Sequence, residues 1–341
     1  WHLEDADGRA EQAGPPPPSH GLPHEDVEGR GQEAIDRWRE ELQEGEYLHA
    51  GRAIEEPGHE IEERGPFEFV KGDITSQEDL EEALRGVDAV VHLAALVGAP
   101  VSEREPEFTW RVNYEATVML ADLCQRFDVD RLLFASTTSV YGSLWDVEIV
   151  DESCPFRPVS LYAKSKLEAE RYLLAKAREE GLPACCFRVA TNYGPSFRPR
   201  FDLVVNRFVC HALRKGSITV YGGRQWRPFM HTHDTARAYL LALKAPLGLI
   251  KGEVYNAGST EENYTINQVA DLVKTVLPET QVEVKAERDP RSYRVDFSEI
   301  RERLGFRAER TLPDGIRELV EFVRSIPNPE DRRYYNYPPE L

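Results

Sequence analysis

The chain has 341 residues, 41% hydrophobic and 30% charged, ordinary values for a globular protein long enough to build a substantial core. Its formal net charge of −18 argues against a general binder of nucleic acid or anionic membranes. No apolar run approaches the roughly 18–20 residues that span a bilayer, and no basic region followed by an apolar core marks a signal peptide near the start.

Residues 1–47 differ from the rest. Pro15-Pro-Pro-Pro18, scattered glycines and many acids predict an irregular segment, with one polar helix around 32–44. Phe67-Glu-Phe-Val-Lys71 predicts a short strand leading into Gly72-Asp73-Ile74, and residues 76–85 a helix capped by Ser76 or Thr75. Val87–Leu93 reads as a buried strand ending in Ala94-Ala95, and Glu105–Phe127 as one long helix. Strand Arg131–Ala135 runs into a Ser/Thr cluster, then helix Ser160–Glu180 and strand Ala184–Val189 follow. This alternation predicts a parallel sheet covered by helices on both faces. Beyond Gly194-Pro195 the pattern loosens: helix 203–215, strand 217–221, a helix capped by Asp234, strand 253–257, a helix from Thr265 to 276, and helices at 298–304 and 312–325.

Five cysteines, Cys124, Cys154, Cys185, Cys186 and Cys210, show no Cys-x-x-Cys spacing, which predicts free thiols in a reducing cytoplasm. His231 and His233 would share a strand face, but no carboxylate or thiol cluster completes a metal set, so these, His211 and His92 read as structural and no metal is expected.

In an open parallel sheet, ligands bind beyond the carboxyl ends of the strands. Here those ends carry Asp73-Ile74, Leu93-Ala94-Ala95, Ser136-Thr137 and the stretch after Arg188. Ala94 and Ala95 are small enough for a flat ligand to approach the backbone, and Asp73 could accept from an adenine amino group. Tyr162 and Lys166 stand four apart, on one helix face. An ammonium beside a phenol favours the phenolate, lowering the pKa and making Tyr162 a usable acid/base.

Val91-His-Leu-Ala-Ala95, Arg111-Val-Asn113, Ser136-Thr137 before Val140-Tyr-Gly142, Tyr162-x-x-x-Lys166 and Arg188 before Asn192-Tyr-Gly-Pro195 occur in that order. The series resembles the extended short-chain dehydrogenase/reductase family, and more narrowly its NAD-dependent nucleotide-sugar epimerase/dehydratase group, from about residue 67, or 48, to about 325. The resemblance implies a Rossmann-like α/β domain over 48–194 and 229–258, and a smaller C-terminal α/β substrate subdomain over 195–228 and 259–341. It implies a catalytic trio of Thr137, Tyr162 and Lys166. Asp73, Ile74, Leu93, Ala94, Ala95, Asn113 and Ser136 would join Tyr162 and Lys166 around the dinucleotide.

Gly222–Phe229 is similar to the family segment that brings an arginine, here Arg227, to a nucleoside diphosphate, a task suited to forked hydrogen bonding. Arg288 or Arg291 would make the second phosphate contact, with Thr191, Asn192 and Asn206 lining the sugar pocket. Thr191 and Pro228 depart from the family pattern, which has an asparagine and an acid at those positions. Thr138 and Ser139 stand where the family's 4,6-dehydratases have Asp and Glu, so dehydration is disfavoured and a 4-epimerase is expected. A 4-keto sugar reductase is the alternative.

The family's opening Gly-x-x-Gly-x-x-Gly has no counterpart in residues 1–60: Gly29-Arg-Gly31 lacks a preceding apolar strand and a third glycine. The first β-α-β unit therefore reads as atypical or missing. Weak dinucleotide binding, or a non-catalytic binding role, is the third reading, and NAD against NADP stays open. By analogy with the family, a homodimer is expected through the helices predicted at 105–127 and 160–180.

Overall fold

The structure, a computed structural model, describes residues 68–286 and 289–336, all within one compact unit, Leu48–Leu341. The expectations for residues 1–47, the missing glycine loop and Arg288 lie outside the described residues. Residues 68–71 form no strand, and Phe69 and Val70 are exposed. A strand needs a neighbour for its backbone groups, and none of the described strands pairs with this segment.

The helices are α1 (Gln77–Ala83), α2 (Ala99–Arg104), α3 (Pro106–Trp110), α4 (Ala116–Arg126), α5 (Leu161–Glu179), α6 (Val204–Lys215), α7 (Thr232–Lys244), α8 (Ile266–Val276), α9 (Ser298–Leu304) and α10 (Leu312–Ser325). The strands are β1 (Ala89–His92), β2 (Arg131–Thr137), β3 (Ala184–Val189), β4 (Thr191–Tyr193), β5 (Ser217–Tyr221), β6 (Trp226–His231), β7 (Glu253–Ala257), β8 (Asn263–Thr265) and β9 (Gln281–Lys285). The α/β architecture expected from the alternation is present: β1, β2, β3 and β7 form one parallel sheet in that order. One face packs Leu132, Phe134, Ala184 and Cys186 against Leu120, Cys124, Ala169 and Leu173. The other packs Leu133, Cys185 and Phe187 against Ala238, Tyr239 and Ala242. Both faces of β2 and β3 being dry explains why those strands read as near-continuous apolar runs, whereas β1, expected to be buried, is mostly half-buried.

A third cluster joins α6, α8 and α10 to β5 and β6 through Phe208, Val209, Val269, Ile316 and Leu319. Here β4 and β6 pair in parallel, β6 and β8 antiparallel, and β5 with β9 in parallel. Several caps match their sequence signals. Ser76 accepts from the Asp79 amide and Ser160 from the Ala163 amide, while Thr265 and Gln268 form a reciprocal capping box.

Two elements differ from expectation. The helix expected over 105–127 is α3 and α4 joined by a π-helical turn, Arg111–Glu115. The wider turn places Asn113 where its side-chain amide can bind a neighbouring backbone, and such turns recur at functional sites. Asp234 lies inside α7 rather than at its cap, which His231 supplies by accepting from the His233 amide. The buried Asp234 carboxylate instead pairs with Arg237 and accepts from the Glu309 and Arg310 amides, tying α7 to the approach of α10.

Candidate active site

The carboxyl end of β2 delivers Ser136 and Thr137, and the first turns of α5 deliver Tyr162 and Lys166. The start of α5 is fixed from outside as well as by its own cap. Ser102 Oγ accepts from the Tyr162 amide at 3.1 Å and Glu103 from the Leu161 amide at 2.8 Å. Gly142, with φ +64°, ends the turn that follows Thr137, and a Cβ there would sit 1.8 Å from the Arg157 carbonyl oxygen. Only glycine fits this close approach.

Tyr162 and Thr137 are brought together, close enough for the threonine hydroxyl to favour the phenolate. Burial raises the phenol pKa above its ordinary value, and the nearby Thr137 hydroxyl and the Arg200 charge oppose the rise. This differs from the expectation that Lys166 dominates. The Lys166 ammonium lies 3.9 Å from the centre of the Phe134 ring instead. Burial pulls its pKa down to about 7, with Cys186 and Glu170 working the other way. Thr137 Oγ1 also accepts from the Ser139 amide at 3.1 Å, fixing the hydroxyl that faces the phenol.

Beneath the trio lies a buried polar network. Glu170, one turn beyond Lys166 on α5, pairs with Arg188 of β3 at 2.6 Å, their side chains 2% and 3% exposed. Arg188 Nε donates to both Glu170 oxygens, at 3.1 and 3.2 Å. Ser136 donates to Glu170 at 2.6 Å. Arg188 also donates to Tyr141, whose hydroxyl donates to Asn256 of β7 at 2.7 Å. Three sheet strands and α5 are thus held in register around the site. Sequence reasoning passed over Glu170. Its spacing from Lys166, together with Arg188 inside an apolar strand, was the available signal.

At the end of β1, Leu93 is exposed and Ala94 and Ala95 half-buried. Asn113, fully buried, accepts from the Leu96 amide at 2.8 Å and donates to the Leu96 carbonyl at 3.0 Å and to Ser165 at 3.1 Å. It therefore shapes the loop after β1 from beneath. Asp73, exposed beside a half-buried Ile74, closes its own turn by accepting from the Thr75 amide and hydroxyl. A dinucleotide suits one part of this arrangement well. The Lys166 ammonium is buried, and among the described residues no hydrogen-bond acceptor is set against it. A ribose hydroxyl supplies such an acceptor.

The expected substrate residues divide. Asn192 accepts from Thr235, and Asn206 accepts from the Gly194 amide and donates to the Pro199 carbonyl, so both are engaged by the chain itself. Thr191 is half-buried at the start of β4. Arg227 and Arg291 converge on Asp289. The Arg227 guanidinium lies 5.3 Å from the centre of the Tyr293 ring, and the Tyr293 hydroxyl is 3.4 Å from Ser139 Oγ. Tyr293 therefore links the arginine pair to the loop that follows Thr137. No group of three or more metal-binding side chains occurs among the described residues. No helix among them is long and apolar enough to cross a membrane.

Residues 31–258 match the model of the NAD dependent epimerase/dehydratase family. The match begins upstream of residue 48, where the sequence signals had not extended. A putative UDP-glucose 4-epimerase of Methanocaldococcus jannaschii is 29% identical over 76% of this chain and 84% of its own length. A dTDP-glucose 4,6-dehydratase of an Actinoplanes species is 32% identical over 76% of this chain and 80% of its own. The solved structure of MoeE5 in complex with UDP-glucuronic acid and NAD is 30% identical. It superposes with a TM-score of 0.68 over 76% of this chain and 89% of that one.

Proposed function

The chain belongs to the NAD-dependent epimerase/dehydratase family, whose members here are nucleotide-sugar enzymes, and we propose that it is a 4-epimerase of a nucleoside-diphosphate hexose. The observation that carries the reading is the line from Tyr162 and Thr137, past Ser139 and Tyr293, to Arg227. In this reading Tyr162 is the proton-transfer group at one end, and Arg227 with Arg291 is the cationic pair for a diphosphate at the other.

In this reading Tyr162 takes the proton of the sugar 4-hydroxyl and returns it, while Thr137 holds the same oxygen. NAD, when bound, supplies the hydride acceptor and donor for that carbon. Lys166 holds the nicotinamide ribose, and Asn113, through Leu96, shapes the edge of the cofactor site. Leu93, Ala94, Ala95, Asp73 and Ile74 complete that side. Arg227 and Arg291 take the diphosphate, and residues 195–228 and 259–341 form the sugar-nucleotide side. Thr138 and Ser139 offer no carboxyl acid or base at the positions that dehydration requires, which favours epimerisation over the dehydratase activity of some relatives.

The same proposal has two copies pairing through α4 and α5, in the cytoplasm, where the free cysteines stay reduced. Incubation with NAD⁺ and UDP-, dTDP-, GDP- and CDP-hexoses tests the reading. The expected outcome is interconversion of C4 epimers with no net change in NADH absorbance. Net consumption of NADH with a 4-keto sugar would identify a reductase, and a 4-keto-6-deoxy product a dehydratase.

A further inference from the structure

Arg227 and Arg291, which the proposed function assigns to a diphosphate, are both held by one carboxylate of the chain. Arg291 grips Asp289 as a fork: Nε donates to Oδ1 and Nη2 to Oδ2, each at 2.9 Å. The Arg291 backbone amide adds a third bond at 2.9 Å. Arg227 Nη2 donates to Oδ2 at 2.8 Å. This is the planar, two-pronged geometry by which arginines recognise phosphate as well as carboxylate.

The Arg227 side chain is 9% exposed, and its Nη1 donates to the carbonyl oxygens of Trp226 and Arg291, at 2.7 Å each. Those two carbonyls and the Tyr293 ring hold the guanidinium in place whether or not Asp289 stays. Nη2 is the prong aimed at an anion, and Asp289 has it. Burial works to raise the Asp289 pKa, but the hydrogen bonds of Arg291 and the charges of Arg227 and Arg291 outweigh it and hold the carboxyl below its usual range. The carboxylate therefore stays charged and engaged at neutral pH.

We propose that Asp289 is an internal stand-in for the substrate diphosphate, occupying the seat between Arg227 and Arg291 until the incoming ligand displaces it. Binding is then an exchange of anions. The diphosphate forms the forked bonds, and Asp289 turns towards water, where its 22% exposed side chain already has an opening. The latch spares the chain an uncompensated Arg227 guanidinium, whose side chain is 9% exposed, when no substrate is present, a condition that is strongly destabilising. Its cost is affinity, because every ligand must first release the carboxylate. The proposal rests on the assignment of Arg227 and Arg291 to the diphosphate.

The test is titration calorimetry of the full chain with UDP, dTDP, GDP, CDP and inorganic pyrophosphate, comparing the parent with Asp289→Asn. A thermal melt of each variant checks the fold, and Asp289→Ser serves if the asparagine variant does not fold. The expected result is a gain of roughly tenfold in affinity for the nucleoside diphosphate that binds best, and for pyrophosphate. The gain should vanish in the Asp289→Asn, Arg227→Met double variant. In turnover assays the Asp289→Asn variant should show a lower KM. Unchanged or weaker binding by folded Asp289→Asn protein overturns the proposal: Asp289 then positions the arginines rather than competing for them. If Arg227→Met alone binds as the parent does, the diphosphate assignment fails instead. Failure of parent and Asp289→Asn alike to bind any of the five probes overturns both.

Discussion

Replacing Glu170 with alanine isolates the network beneath the catalytic trio. The Glu170 and Arg188 side chains are 2% and 3% exposed, so solvent cannot take over the role of either partner. The substitution removes three hydrogen bonds from Arg188 and the acceptor of the Ser136 hydroxyl. It leaves a buried guanidinium whose remaining partners are Tyr141, the Glu152 carbonyl and the Phe156 ring. Breaking a buried pair from one side costs about 3–5 kcal/mol, a large share of the roughly 5–15 kcal/mol that typically holds a domain together. At about 2–4 °C per kcal/mol for a domain somewhat smaller than this one, the melting temperature should fall by roughly 10 °C. Urea unfolding gives the free energy directly, and calorimetry the melting temperature. Replacing both residues by methionine should recover most of the loss, because no unpaired charge then remains. A Glu170→Ala variant within about 1 kcal/mol of the parent would refute the reasoning, since it would mean the Arg188 charge is compensated in some other way.

Tyr162→Phe should abolish turnover while nucleoside-diphosphate affinity, measured by calorimetry, stays within about twofold, because the phenol oxygen matters only in proton transfer. Thr137→Val should shift the rising limb of kcat/KM against pH upward, since it removes the neighbouring hydroxyl that holds down the raised pKa of Tyr162; an unmoved limb would separate that limb from the phenol. The unfolded chain holds more protons than the fold wherever burial has lowered a basic group's pKa. Lys166, at about 7 in the fold against an ordinary 10.5, should therefore make the ligand-free protein gain stability as pH climbs through that window. Lys166→Met should flatten the slope of urea-derived stability against pH. His92, lowered from 6.5 to about 3 by burial and the Lys166 charge, should cost stability as pH falls through that range. A His92→Gln variant should lose less over the same interval.

The sequence by itself determined the α/β alternation, because strands dry on both faces and amphipathic helices leave different apolar periods. It also determined that Leu93 to Ala95 and Ser136-Thr137 mark strand ends and that Tyr162 and Lys166 share a helix face, since these follow from local geometry, but not that the strand expected before Asp73 would fail to form. It could not determine which partner each polar group takes, because a hydrogen bond forms across distances in the chain that no local pattern records. Ser136 stands beside Thr137, yet its hydroxyl goes to Glu170, 34 residues away in the chain. Asn206 binds the backbone at Gly194 and Pro199, and Asn113 required a π turn to reach Leu96. Lys166 lies against Phe134 because β2 and α5 pack there. The arginines expected to await a phosphate meet Asp289 instead, because a buried cation takes the nearest anion the tertiary structure provides.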